Sequence, residues 1–472
     1  MNKLDDFKNN IKSKRVAIIG AGISNVPAII YLEKLGAKVC VLDKNVNLIK
    51  DKQELANLKI DLSLGEEYLS VLEKENFDYV LRSPGVKPFL KELETAKNNG
   101  AIITSEMELF INLCPCKIIA ITGSDGKTTT TTLVSKILED AGKKVWLGGN
   151  IGTPLFTKLE EINESDVAVL ELSSFQLMTL NDRINVAGVT NISPNHLDYH
   201  RSYDEYIDAK ANIFKNQTSD DILVLNADDK ISMKRYLTKT KLPKENVRMF
   251  SLKTKVENGT YVDNENIVMN FNGKEEVVTN INNVKLVGMH NVANICMAAT
   301  MCKGIATAEN VKHVAENFTG VKHRMEHVNT IDGVKYYNDS IASSPTRTIA
   351  GLIAFNKKVI LIAGGYDKNI PYDVIGPHIV DKVKSLLLLG KTAPKIKESV
   401  LAELAKRKLP EDYIEICNFD NLEDAVKYAK KIAKEGDNVV MSPASASFDL
   451  YKNFEERGEH FRSIVNVLKG EN

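Results

Sequence analysis

The chain has 472 residues, 43% hydrophobic and 26% charged, the balance of a folded globular protein, and its length suggests about three domains. Lysine plus arginine and aspartate plus glutamate both total 62, a net charge of zero, so bulk charge argues for neither nucleic acid nor an anionic membrane as partner. Cys40, Cys114, Cys116, Cys296, Cys302 and Cys417 show no metal-ligand spacing, the opening MNKLDDFK is too charged for a secretory leader, and no apolar run spans a bilayer; we expect a cytoplasmic protein with reduced thiols.

Apolar runs alternate with helical patterns, the rhythm of an α/β protein. Residues 15–20 (RVAIIG) read as a strand running into a turn, Gly20, Ala21, Gly22, Ile23, Ser24 and Asn25, that opens a helix. Residues 38–43 (KVCVLD) read as the next strand, ending at Asp43. This half-matches a dinucleotide fingerprint, with Asn25 in place of the third glycine, and favours a nucleotide diphosphate over NAD specifically. A later strand, residues 79–84, runs into Ser83, Pro84 and Gly85.

A second system starts near residue 117. Residues 117–122 (KIIAIT) form a strand that enters Gly123, Ser124, Asp125, Gly126, Lys127, Thr128 and Thr129, and a helix carrying Leu133, Val134, Ile137 and Leu138 on one face follows. Glycines let backbone N–H groups crowd a phosphate, and the helix N-terminus adds a favourable dipole. Lys127 would reach the β- and γ-phosphates of ATP, and Thr128 would ligate Mg²⁺. Ile121 stands where the general phosphate loop has its first glycine. A tight turn that merely caps a helix is the competing reading. Residues 166–170 form a buried strand with Glu171 at its end, placed as a metal ligand or as an ordinary strand-end acid. Residues 186–192 form another, with His196 and Asp198 just beyond.

Ser202 to Glu205 fit a capping box, so a helix starts there with Tyr203, Tyr206, Ile207, Ile213 and Phe214 as its apolar stripe. Lys210 falls inside that stripe. Pattern favours a stem lying on apolar surface with its ammonium in water over a buried amine. Residues 258–283, rich in asparagine and alternating, predict a β-hairpin excursion outside the core. The third system includes strands at 358–363, ending in Gly364 and Gly365, at 385–389 and at 438–441. Boundaries near 113 and 320 give domains 1–113, 114–320 and 321–472.

Taken together, these motifs resemble the Mur ligases of peptidoglycan synthesis. The resemblance rests on ITGSDGKTTT (121–130), GGNIG (148–152) with Asn150, ELSSFQ (171–176) with Ser173, NHLD (195–198) with His196, and Lys210. It continues through HNVAN (290–294) with Asn291 and Asn294, and HRME (323–326) with Arg324. SPASASFDLYKNFEERG (442–458), GGYDK (364–368) and NDSIAS (338–343) resemble the family member that adds D-glutamate, with Ile341 where a lysine is common and Ser343 where a threonine is.

The resemblance implies a Rossmann-like N-terminal domain, a central P-loop ATPase-type sheet, mostly parallel, and a Rossmann-like C-terminal domain. It implies a monomer that ligates D-glutamate to UDP-N-acetylmuramoyl-L-alanine through an acyl phosphate. The implied cofactors are ATP and two Mg²⁺ ions, with Mn²⁺ as an alternative, held by Thr128, Glu171, His196 and a carbamylated Lys210. Asn291, Asn294, Arg324 and Asp339 would complete the ATP site. The turns at Gly20–Ser24 and Ser83–Gly85, with Asp43, Asn150 and Ser173, would meet the UDP substrate. Ser343, Lys368, Ser447, Phe448 and Phe454 would bind D-glutamate. The rival readings are a folylpolyglutamate synthase, an NAD-dependent oxidoreductase and a non-enzymatic nucleotide-binding regulator.

Overall fold

The computed structural model describes residues 3–194, 199–368 and 370–468. They fall into two compact units, Met1–Asn283 with Ala293–Ala315, and Val284–Val292 with Glu316–Asn472.

The first unit holds two sheets. β1 (Arg15–Ile19), β2 (Lys38–Asp43), β3 (Ile60–Leu64), β4 (Tyr79–Arg82) and β5 (Ile102–Thr104) lie in the order β3-β2-β1-β4-β5, and all four pairings are parallel. Val16 to Ile19 and Val39 to Leu42 are buried, the continuous apolar run of a parallel strand covered on both faces. The second sheet consists of β6 (Lys117–Thr122), β7 (Val145–Gly149), β8 (Val167–Glu171), β9 (Val186–Val189), β10 (Ile222–Asn226), β11 (Val247–Ser251), β12 (Gly259–Asp263), β13 (Asn266–Phe271) and β14 (Lys274–Asn280). Its order is β14-β13-β12-β11-β10-β9-β6-β8-β7, parallel from β7 to β12 and antiparallel at β12–β13–β14. β6 is an interior strand, with β8 on one side and β9 on the other, so the chain changes direction around it. That switch point is where α/β sheets hold ligands.

The largest core cluster of this unit draws on both sheets. One apolar cluster contains Val16, Ile18 and Val39 from the first sheet and Ile118, Ala120 and Ala168 from the second. Phe156 sits between the rings of Phe7 and Tyr31, with centroids 6.0 and 5.4 Å away. Glu106 is 5% exposed and accepts the Phe156 N–H at 3.1 Å; burial pushes its carboxyl up to about 7.

Residues 258–283 depart from the sequence expectation. Instead of leaving the sheet, they supply β12, which pairs parallel with β11, and then the β13–β14 hairpin. Tyr261, Ile267 and Met269 are buried. The alternation of β13 signals a strand, but its apolar face has a partner that local sequence cannot reveal.

The second unit has one sheet of β15 (Glu326–Ile331), β16 (Val334–Asn338), β17 (Val359–Gly364), β18 (Val383–Leu389), β19 (Glu415–Phe419) and β20 (Asn438–Met441). The order is β15-β16-β20-β17-β18-β19, and only β15–β16 is antiparallel. Separate apolar clusters cover its two faces, one around Leu361, Leu386 and Leu388, the other around Ile360, Ile362 and Phe461. The three sheets show the mostly parallel α/β class that the sequence predicts.

Candidate functional site

The loop after β6 is shaped by two glycines. Gly126 has φ +79°, and a Cβ there would lie 2.4 Å from Asn294 Oδ1. Gly123 has φ +141°, and its Cβ would lie 1.8 Å from Thr190 Oγ1. Neither position tolerates a side chain, so backbone and neighbours close around the turn. Thr190 Oγ1 donates to the Asp125 carbonyl at 2.6 Å, the Ser124 N–H donates to the Asn191 carbonyl at 2.8 Å, and the Asp125 N–H donates to Asn191 Oδ1 at 3.1 Å. The chain after β9 therefore braces the loop, which is why β9 ends at Val189 rather than at Ile192 as the apolar run suggested. Ser124 Oγ lies 2.8 Å from the Tyr206 hydroxyl. The helix Lys127–Asp140 starts at the turn, with Gly126 as its N-cap, so Thr128 and Thr129 occupy its first turn. Lys127 folds over the loop, its ammonium donating to the carbonyls of Gly123 at 3.0 Å and Ser124 at 2.8 Å. Asn294 accepts from Thr130 Oγ1 at 3.2 Å. Asn291, earlier on the same helix, donates its amide to the Val287 carbonyl at 2.8 Å and belongs to the other unit.

Lys210 is 2% exposed, so the solvent-seeking stem favoured by pattern is not what forms. Its Nζ donates to the Gly123 carbonyl at 2.7 Å and lies 3.3 Å from Thr122 Oγ1 and 4.8 Å from the Tyr206 ring centre. Burial, then the Lys127 cation, drives its amine far below the ordinary lysine range, against the pull of Glu171 and Asp125. The helix Tyr203–Ala211 that carries it begins at Ser202, whose Oγ accepts the Glu205 N–H at 3.1 Å. Only half of the expected capping box forms, because the Glu205 carboxylate accepts from the Arg201 N–H instead.

Glu171 is 1% exposed at the end of β8, beside Ile121 of β6. Its Oε1 accepts from Asn150 Nδ2 at 2.7 Å, whereas Oε2 is buried without a hydrogen-bond partner. A buried carboxylate oxygen left without a donor fits a metal ion. His196 and Asp198 lie outside the described residues, among which no group of three His, Cys, Asp or Glu side chains is placed to hold a metal.

In the first sheet, Gly20 has φ +83° and approaches Ser83, whose Oγ donates to the Ile19 carbonyl. Asn25 donates to the Gly20 carbonyl at 2.8 Å and to Ser83 Oγ at 2.9 Å. The residue replacing the third fingerprint glycine thus ties the two turns together. Asp43 accepts the N–H groups of Ala21 and Asn45, each at 2.8 Å, so its carboxylate shapes the turn. Gly22 has open space around it, Ile23 is 83% exposed, and Ser24 is the helix N-cap without a side-chain bond. Ser173 caps its own short helix through Gln176.

Arg82, missed in the sequence, is 2% exposed at the end of β4. It donates to the carbonyls of Ser83, Pro84 and Val86 and, across to the second sheet, to the Phe175 carbonyl and Thr179 Oγ1. The Tyr199 hydroxyl donates to the Pro84 carbonyl at 2.9 Å. Arg82 therefore fixes the Ser83–Pro84–Gly85 turn; a cation closing an otherwise apolar strand was the available signal.

In the second unit, Asp339 is 4% exposed and accepts from Ser442 Oγ at 2.7 Å and the Met325 N–H at 3.2 Å. Burial raises its carboxyl to about 6, against Ser442, the Met325 N–H, Arg324 and Arg347. Ser343 is half-buried on the turn after β16, its N–H donating to the Ile341 carbonyl at 2.8 Å. Lys368 is exposed after the Gly364–Gly365 turn, with Nζ 5.7 Å from the Phe448 ring centre. Phe448 is 59% exposed and meets the Tyr366 ring edge-on at 5.9 Å. Ser447 is buried. Phe454, expected at the D-glutamate site, faces the His323 ring at 6.2 Å.

Arg457 escaped the sequence reading because EERGEH resembles a solvated helix face. The available signal was its place on one stripe with Phe461, Ile464 and Leu468. It is 5% exposed, donating through Nε to Ser340 Oγ at 3.0 Å and through its other nitrogens to the carbonyls of Ala446, Ser340 and Ser445. It joins the segment carrying Ser343 to the one carrying Ser447.

Residues 14–105 match the Mur ligase MurD-like N-terminal domain, 121–302 the Mur ligase middle domain, and 323–445 the Mur ligase glutamate ligase domain. A UDP-N-acetylmuramoylalanine–D-glutamate ligase of Acetivibrio thermocellus is 50% identical over 469 residues, 99% of each chain. One from Clostridium novyi is 51% identical over 466 residues, 98% of this chain and 99% of its own. The solved structure of a UDP-N-acetylmuramoyl-L-alanyl-D-glutamate–2,6-diaminopimelate ligase has a TM-score of 0.57 at 18% identity, over 84% of this chain and 93% of the other, a likeness of fold. With matched segments that cover most of all three sheets and relatives half identical along nearly the whole length, the chain belongs to the Mur ligase family.

Proposed function

We propose that the chain uses ATP to join D-glutamate to UDP-N-acetylmuramoyl-L-alanine in peptidoglycan precursor synthesis. The observation that carries the reading is near-full-length identity of about half to ligases named for that reaction. The phosphate loop, with Gly126 seated against Asn294, agrees with it. In the reaction, the alanine carboxylate attacks the γ-phosphate of ATP, giving an acyl phosphate and ADP. The free amine of D-glutamate then attacks the acyl carbon, phosphate leaves, and the amine loses a proton.

In this reading the N–H groups of residues 123–129 surround the phosphates, and Lys127 turns from the loop carbonyls to the β- and γ-phosphates. Asn291, Asn294, Arg324 and Asp339 hold the nucleotide. Gly20 to Ser24, Asp43, Ser83 to Gly85, Asn150 and Ser173 line the path of the UDP substrate. Ser343, Lys368, Ser447, the Phe448 backbone and Phe454 receive D-glutamate, whose two carboxylates need hydroxyl, N–H or cationic partners. The domains are assigned as 1–113, 114–320 and 321–472.

Two Mg²⁺ ions, or Mn²⁺ in their place, would neutralise the charge of a carboxylate approaching a triphosphate. Thr128, Glu171, His196 and a carbamylated Lys210 would hold them. The orphaned Glu171 oxygen fits this role, and so does Lys210. Carbamylation requires a neutral amine, which adds CO₂ and releases a proton, and the surroundings of Lys210 favour that neutral form. The product is an anion with hard oxygen donors. Among the described residues no helix is long and apolar enough to cross a membrane. We read the protein as a cytoplasmic monomer.

The test is product formation by mass spectrometry with ATP, UDP-N-acetylmuramoyl-L-alanine and a panel of amino acids. The reading requires a product from D-glutamate well ahead of all others, with ADP and phosphate in equal amounts. An absent product, or preference for another amino acid, overturns it.

A further inference from the structure

We propose that Cys114 and Cys116 form a thiol–disulfide exchange site, which a low-molecular-weight disulfide such as oxidised glutathione converts reversibly to an intramolecular bond. The two sulfurs lie 3.5 Å apart, in a Cys-Pro-Cys tripeptide between the helix Glu106–Leu113 and β6. Cys114 is the C-cap of that helix, with extended backbone (φ −62°, ψ 124°), as a residue before proline prefers. Pro115 removes one backbone freedom from the connection, so the thiols meet at little further entropic cost. A disulfide has sulfurs about 2.05 Å apart. The remaining approach is about 1.5 Å, within reach of side-chain rotation.

Access and acidity separate the two sulfurs. Cys114 is half-buried, whereas Cys116 is 6% exposed inside the core. The hydrogen bond between the two sulfurs holds the Cys114 thiol below and the Cys116 thiol above the ordinary cysteine range. Cys114 is therefore the attacking sulfur and Cys116 the resolving one. The Cys114 thiolate attacks one sulfur of the small disulfide, and a thiolate leaves. The Cys116 sulfur, losing its proton, then attacks Sγ of Cys114, and the second small thiolate leaves. Both cysteines are oxidised, and the disulfide is reduced to two thiols. The other four cysteines offer no such pair. Cys40, Cys296 and Cys302 are buried with raised thiols, and Cys417 faces the Tyr428 hydroxyl at 3.8 Å. A metal pair is disfavoured, because no third ligand stands beside the two sulfurs among the described residues. The six thiols are free in the structure. An intracellular chain keeps structural cysteines reduced, and a close pair there is suited to transient oxidation.

The test treats the full-length protein with oxidised glutathione, blocks remaining thiols, and maps peptides without reduction. The expected result is a single peptide closed by a Cys114–Cys116 bond, reopened by dithiothreitol. Cys116→Ser should stop at a glutathione adduct on Cys114, while Cys114→Ser should leave Cys116 unmodified. Full retention of all thiols by the wild-type protein overturns the proposal. So does a stable glutathione adduct on wild-type Cys114 without the internal bond, which would show that Cys116 cannot resolve it.

Discussion

An amine bonded to one carbonyl, close to one hydroxyl and facing a second lysine, as at Lys210, has little to hold its proton. If carbamylation is how the enzyme uses that amine, labelled bicarbonate should give a carbamate carbon resonance in the wild-type spectrum that is missing from Lys210→Arg. That variant should lose at least about a hundredfold in turnover, and full activity without the resonance would end the idea. Lys127 stands in different surroundings, half-buried on loop carbonyls that a phosphate would replace. Lys127→Ala should abolish acyl-phosphate formation, measured by trapping, while affinity for the UDP substrate by calorimetry changes by less than about threefold. Arg457 touches neither nucleotide nor substrate in our reading; it acts by aligning two segments that do. Arg457→Met keeps much of the volume and removes the four bonds. KM for D-glutamate should rise about tenfold or more, with KM for ATP nearly unchanged. Equal losses for both substrates would make the residue a general support of the unit.

At the scale of elements, the sequence was most informative where one strand met one turn. β2, β6 and β20 have the ends that their apolar runs predict, and the phosphate loop sits between β6 and the helix Lys127–Asp140 as its glycines require. Strand ends drifted where a distant segment intervened, as at Val189, where the following residues turn to brace the loop. The strands at 258–283 were harder to place, because sheet-edge addition depends on the free edge of β11, not on local pattern. The turn itself is open to a direct test. Gly126→Ala forces a side chain into left-handed backbone, costing about 1–2 kcal/mol, and against Asn294 Oδ1 at 2.4 Å. It should lower the melting temperature and raise KM for ATP. Gly22→Ala meets nothing within 4 Å and should leave stability unchanged. Equal melting temperatures for the two variants would mean that the loop has more room than its geometry implies.

Across the whole molecule, the alternation of strands and helices made the α/β class readable, and the family motifs made most candidate residues readable. What stayed hidden were buried charges with distant partners: Arg82, Arg457 and Glu106. None of the three stands out within its own stretch, and the burial of each depends on an element far along the chain. Glu106 has a consequence for stability that can be measured. Its carboxyl rises from 4.5 unfolded to about 7 folded, so the folded state holds its proton more tightly. Between those values the unfolded chain binds fewer protons than the folded one, and stability falls as pH rises. The contribution is fully present below pH 4.5 and is lost as pH climbs through about 7, a span worth roughly 3 kcal/mol at most. Asp339, raised to about 6 by burial, tilts its own unit in the same direction. Glu106→Gln keeps an acceptor for the Phe156 N–H and cannot ionise. Denaturant unfolding of the first unit at several pH values should therefore show a flatter pH dependence in the variant, with a gain over wild type above pH 7 and little difference near pH 4.5. Parallel pH profiles for the two proteins would show that Glu106 ionises in the folded state as easily as in water.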